Sequence, residues 1–186
     1  MTGSILTLNA GSSSFKFAVF GQDAAGGLRA TTRGQVAGLG ATPHLVAHDA
    51  DGIESVNRQW PEGRPPPFAE VLDTLLTFVE AHAGPDGLAA VGHRVVHGGA
   101  DHLLPACVTP ALLGELSALI RLDPLHMPHN IAPIEAMASA RPALPQVACF
   151  DTAFHSTLPP VARRTRPAAG SGSRWDPPLR LPWPVL

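Results

Sequence analysis

An arginine stands between two histidines in Gly92-His93-Arg94-Val95-Val96-His97-Gly98-Gly99, directly after an apolar stretch and before paired glycines. Its guanidinium is a planar fork that suits a carboxylate or a phosphate, and the glycines let a ligand approach the backbone. A surface turn with an arginine salt bridge would use the same residues. Neither histidine has metal-site spacing. A second apolar stretch ends on an acid, in Cys149-Phe150-Asp151-Thr152-Ala153-Phe154-His155. Such an aspartate can hold Mg2+ through water, orient a nucleophile or accept a proton, or it can simply cap a turn.

Two other runs bear polar groups at chain reversals. Leu8-Asn9-Ala10-Gly11-Ser12-Ser13-Ser14-Phe15-Lys16 is a small-residue turn whose backbone N–H groups and hydroxyls can come close to a phosphate, with Lys16, the only lysine, adding a point charge. The Gly-Lys-Ser/Thr of a P-loop is absent, and an ordinary hairpin would look the same. Asp123-Pro124-Leu125-His126-Met127-Pro128-His129-Asn130 reads as a proline-punctuated loop before a helix. His126 and His129 are candidate ligands or incidental, and Asn130 fits a helix N-cap.

The elements that must carry these groups follow from periodicity. Ile5 to Leu8 is a short apolar run, and Phe15, Phe17 and Val19 alternate with Lys16 and Ala18, so a hairpin opens the chain. A third strand is expected over Leu28 to Arg33, and residues 43–67 read as loop with possible edge strands. Phe68, Val71, Leu72, Leu75, Leu76 and Val79 have helical spacing between proline and Gly-Pro breakers. Leu88 to Val91 reads as a buried strand. Thr109-Pro110 reads as an N-cap with proline at the first helical position, ahead of Leu112, Leu113, Leu116, Leu119 and Ile120. A further helix is expected over about Ala132 to Ala140, then a strand over Val147 to Phe150. That order predicts an α/β sheet with packed helices, with Asn9, Arg94 and Asp151 just beyond the carboxyl ends of strands, where ligands gather.

Composition narrows the partner. With 45% hydrophobic and 15% charged residues and a formal charge of -2, the chain reads as an ordinary globular protein, not one that coats nucleic acid or a membrane surface. Cys107 and Cys149 lack a Cys-x-x-Cys spacing, and no targeting or membrane segment is legible, so a cytoplasmic location is expected.

Taken in chain order, the four motifs, over about Ile5 to Ala162, resemble those of the acetate kinase family, which includes propionate and butyrate kinases. Similar proteins carry Asn-x-Gly-Ser-Ser-Ser-x-Lys, His-Arg-Val-Val-His-Gly-Gly, Pro-Leu-His-Asn-Pro-x-Asn and Phe-Asp-Thr-Ala-Phe-His. The resemblance implies a fold of the sugar kinase, Hsp70 and actin superfamily, which is ribonuclease H-like, with a mixed sheet and two domains closing on ATP. It implies that ATP and acetate give ADP and acetyl phosphate, reversibly, with Mg2+ or Mn2+, in a homodimer. By the same resemblance Asn9 is associated with the metal, and Gly11, Ser12 and Lys16 with ATP. Arg94 grips the acetate carboxylate or the phosphoryl group, Val96 and Leu125 line the pocket for the methyl group, and His126 lies near the transferred phosphoryl. Asp151 is the catalytic aspartate, more credible as an orienter of metal or substrate than as a base, because acetate is already ionised. Met127 departs from the family's asparagine, which puts a polar contact there in doubt.

The resemblance implies a chain at least about twice as long. The residues up to Ala162 carry a charge of -6, whereas Arg163 to Leu186 carries +4, with five arginines and five prolines. The family's next motif, Arg-Tyr-Gly-Phe-His-Gly-x-Ser, is absent there. One choice of synonymous codons for Arg174 to Leu186, moved forward by one base, spells Gly-Gly-Ile-Arg-Arg-Tyr-Gly-Phe-His-Gly-Leu-Ser. The expectation is therefore an acetate kinase-like domain over residues 1–162 and a disordered tail over 163–186, frameshifted near Arg164 or Thr165. The second kinase domain would be missing, with no turnover by this chain alone. The competing expectations are a propionate or butyrate kinase fragment, a non-catalytic anion-binding module and a non-functional product.

Overall fold

The computed structural model describes residues 3–157 apart from residue 24; the expected tail lies outside the described residues. Eight strands form one mixed sheet in the order β5-β4-β3-β2-β1-β6-β8-β7. β1 (Ser4–Ala10) and β2 (Ser14–Gln22) make the expected hairpin, in a register that sets Asn9 opposite Lys16. β3 (Leu28–Ala37) continues the antiparallel run. β6 (Leu88–Val95) lies parallel to β1 and β8 (Gln146–Phe150) parallel to β6, while the short β7 (Ala106–Cys107) pairs antiparallel with β8.

Alternation along the central strands puts both clusters of buried residues on one face of the sheet. Leu6, Leu8, Phe15, Phe17 and Val91 are buried against the apolar stripe of α1 (Phe68–His82), formed by Val71, Leu72, Leu75, Leu76 and Val79. Val95, Ala148 and Phe150 are buried in a second cluster with Leu112 and Leu116 of α2 (Pro110–Ala118) and Ile131 and Ile134 of α3 (Met127–Ala140). Met137 of α3 belongs to the first cluster, so α3 joins the two halves of the core. Thr109 caps α2 as expected, its Oγ1 accepting from the Leu112 N–H at 3.2 Å, with Pro110 in the first turn.

The possible edge strands are present, and three other expectations need correction. Residues 43–67 contain a true hairpin, β4 (His44–Asp49) and β5 (Glu54–Gln59). β6 runs four residues past Val91, because His93 is buried as a neutral ring rather than ending the strand. Arg94, like Asn9, is therefore the next-to-last residue of its strand, and only Asp151 follows one. α3 starts at Met127, five residues early, since proline is tolerated in a first helical turn. Asn130 thus lies inside the helix and is not its cap, and Met127 is fully buried in the second core cluster, with no polar role.

Candidate active site

Asn9, Lys16, Arg94 and Cys149 are the exposed members of their alternating strands and turn away from the helices. With Thr7, Ala18 and Gly92 they line a depression of about 360 Å³. Gly92 adds no side chain to its floor, where a Cβ would lie 3.8 Å from Thr7 Cγ2. Gly11 and Ser12 are exposed in the β1–β2 turn, which is closed by a 2.8 Å bond from the Gly11 N–H to the Ser14 carbonyl.

Arg94 is the centre of this face. Its Nε donates to both carboxylate oxygens of Asp151 at 3.0 Å, its Nη2 to Asp151 Oδ2 at 2.5 Å, and its Nη1 to Asn9 Oδ1 at 2.9 Å. Three strands, β1, β6 and the end of β8, thus converge on one guanidinium. The hydrogen-bonded Asp151 carboxylate raises the Arg94 pKa, burial opposing and the Asp151 charge adding to the rise. Five N–H groups belong to a guanidinium. With these bonds made, one remains on each of Nη1 and Nη2 for an incoming anion.

The other expected residues are distributed around this centre. Val96 is buried, and its N–H donates to Asn130 Oδ1 at 2.8 Å. Leu125 is 74% exposed, with no wall closing over it among the described residues. His126 stands at the N-terminus of α3, where its Nδ1 and backbone N–H both meet Asp123 Oδ1, at 2.9 and 3.2 Å. Asp123 is itself buried, with no hydrogen bond to Oδ2 among the described residues, and its charge opposes the lowering of the His97 pKa that burial causes.

Three participants had no functional reading from sequence. Asn130 is buried on α3; its one-turn spacing from Met127 and Ile134 marks the buried face once the helix start is placed correctly. Thr152 Oγ1 accepts from the Gly98 N–H at 3.0 Å, tying the loop after β6 to the turn that bears Asp151. Cys149 pairs in register with Arg94 and so shares its face, which strand alternation with Asp151's neighbours would reveal.

The mixed sheet carries a guanidinium held by an acid and an amide near the carboxyl ends of its parallel strands, and its fold is that of the sugar kinase/Hsp70/actin class, shared with solved acetate and propionate kinases. Residues 4–165 match the model of the acetokinase family, and the chain belongs to that family. It is 44% identical over 165 residues to an acetate kinase of Rhodopseudomonas palustris, covering 87% of this chain and 40% of that protein. An acetate kinase of Deinococcus radiodurans is 40% identical over 159 residues, covering 86% and 38%. Among solved structures, a propionate kinase from Francisella tularensis superposes with a TM-score of 0.74 at 30% identity, covering 89% of this chain and 41% of that one. An acetate kinase from Porphyromonas gingivalis gives 0.69 at 29% identity, covering 87% and 40%. The chain therefore spans about two fifths of the length of the curated relatives it matches. Among the described residues no helix is long and apolar enough to cross a membrane.

Proposed function

We propose that this domain supplies the acceptor side of an acetate kinase, in which acetate attacks the γ-phosphorus of ATP to give acetyl phosphate and ADP. The observation that carries this is the bonding of Arg94 to Asn9 and Asp151 at one end of the sheet. Acetate is an anion at neutral pH and needs no base, so catalysis reduces to positioning and to neutralising charge on the transferred phosphoryl. Arg94 provides both, its two remaining N–H groups receiving carboxylate or phosphoryl oxygens. Asp151 holds the guanidinium in plane. Asn9 fixes its other edge. Lys16, with the Gly11–Ser12 turn, adds positive potential and backbone donors for nucleotide phosphates, and His126 is positioned by Asp123.

The donors around Arg94 are hard oxygens, the Asn9 amide and the Asp151 carboxylate. Among the described residues no cluster of three or more His, Cys, Asp or Glu could cage an ion. That set fits Mg2+ or Mn2+ arriving on nucleotide phosphates, as such ions keep their waters and use few protein ligands. Asn9 and Asp151 would hold it, and it would neutralise phosphoryl charge.

A titration of the isotopically labelled chain with inorganic phosphate tests the grip. The account expects the resonances of Arg94, Asn9 and Lys16 to move, weakly bound and absent in Arg94→Ala. Shifts that persist in Arg94→Ala contradict it. By itself the chain should form no acetyl phosphate. Propionate as acceptor is a second reading, favoured by the superposition on a propionate kinase. One methylene is worth only about 1 to 3 kcal/mol, so relative turnover of the two acids in a completed enzyme decides between them. We also infer that residues beyond about 164 are read in a shifted frame. The family match ending at residue 165 supports this, and sequencing the gene across that stretch tests it.

A further inference from the structure

We propose that Asn130 is a positioning residue that sets the spacing between Asn9 and Arg94, acting through the backbones of β1 and β6. This rests on the reading of Arg94 and Asn9 as an anion grip.

The parallel register of β1 and β6 runs from Ser4 and Leu88 to Leu8 and His93 and stops there. The strands part at the residues that carry the grip, Asn9 and Arg94. Parting leaves the groups on the facing edges without a ladder partner, and a buried backbone group without one is costly. Asn130 enters this gap from α3. Its Oδ1 accepts from the Val96 N–H at 2.8 Å and its Nδ2 donates to the Ala10 carbonyl at 2.8 Å, in a residue only 4% exposed. One side-chain amide thus replaces a peptide unit between the two strands.

The outcome is a closed ring. Asn9 is bonded to Ala10, Ala10 is held by Asn130, Asn130 by Val96, and Val96 leads back through Val95 to Arg94, whose Nη1 meets Asn9 Oδ1 at 2.9 Å. The one donor of the gap, the Val96 N–H, and its one acceptor, the Ala10 carbonyl, need one acceptor and one donor on a short planar arm. An aspartate keeps the Val96 bond but sets a carboxylate oxygen against the Ala10 carbonyl. An alanine removes both bonds. A displacement of the order of 1 Å in such a site is enough to cost about a hundredfold in function.

The experiment uses the chain with inorganic phosphate as the probe, in Asn130→Ala and Asn130→Asp, each with and without Asn9→Ala. The side-chain Nε–H resonance of Arg94 is followed in the ligand-free proteins as well. Asn130→Ala should weaken phosphate binding by about tenfold or more and shift the Arg94 Nε–H signal, while the same change on Asn9→Ala should have little further effect. Asn130→Asp, which retains one of the two bonds, is expected to show the same pattern and serves if the alanine variant does not fold. An unshifted Arg94 signal, or a loss of affinity of the same size with and without Asn9, overturns the proposal. If the parent chain does not bind phosphate, the functional reading fails, and the ligand-free Arg94 signal still decides whether Asn130 sets its environment.

Discussion

Acidification should destabilise this domain through His93. The ring is 2% exposed, and its Nε2 meets Gln146 Oε1 at 2.7 Å, so the neutral tautomer with the proton on Nε2 donates to a neutral amide. Burial lowers its pKa from 6.5 to about 4, against which the Gln146 bond acts weakly. In the unfolded chain the ring takes up a proton near pH 6.5, whereas the folded state resists until about pH 4. Fewer protons are bound in the folded state between those values, so stability falls as pH falls through that window and levels off below it. At about 1.4 kcal/mol per pH unit of difference, acidifying from pH 7 to pH 5 removes about 2 kcal/mol, and the whole window about 3 kcal/mol. Urea denaturation at pH 7 and pH 5 measures it, with His93→Gln as the control, since glutamine can still donate toward Gln146 but does not titrate. The parent should lose about 2 kcal/mol more than the variant over that interval. Equal losses would refute the reasoning. Burial displaces His97 in the same direction, so the parent's own slope contains a contribution that the difference cancels.

Other substitutions separate packing from surface charge. Gly34→Ala should destabilise by about 1 to 3 kcal/mol or more, seen as a lower melting temperature, because a Cβ there would lie 2.5 Å from Phe17 Cζ and from the Val46 carbonyl oxygen. Thr109→Ala should cost about 1 kcal/mol in urea denaturation through loss of the α2 cap, and Thr109→Ser much less. Glu80→Gln should change stability by less than about 1 kcal/mol by the same assay, although Arg141 Nε lies 2.6 Å from Glu80 Oε1, because both side chains are well solvated.

What sequence could and could not show divides along physical lines. The stripe of α1 and the Thr109-Pro110 start of α2 were legible because each is a local pattern with a single solution. β5 was legible only as a possible edge strand, since almost every residue in it is exposed and leaves no alternation to read. The end of β6 was hidden by His93, a polar residue whose burial depends on Gln146 far along the chain. At the site, motif spacing nominated Asn9, Arg94 and Asp151, and these three are joined in space. Asn130 was read as a cap because Pro128 and Pro133 disguise the helix around it, and its partners Ala10 and Val96 come from elsewhere in the chain.

The central claim is that the Arg94 grip belongs to a carboxylate phosphotransferase and needs a second lobe. Residues 1–162 joined in frame to the remaining length of the Rhodopseudomonas palustris acetate kinase test it, with acetyl phosphate trapped as its hydroxamate. The account predicts product that depends on ATP, Mg2+ and acetate, reduced by about a thousandfold or more in Arg94→Ala, the scale of a lost transition-state arginine in phosphoryl transfer. A folded, nucleotide-binding chimera without turnover, or one whose Arg94→Ala variant is equally fast, would contradict it.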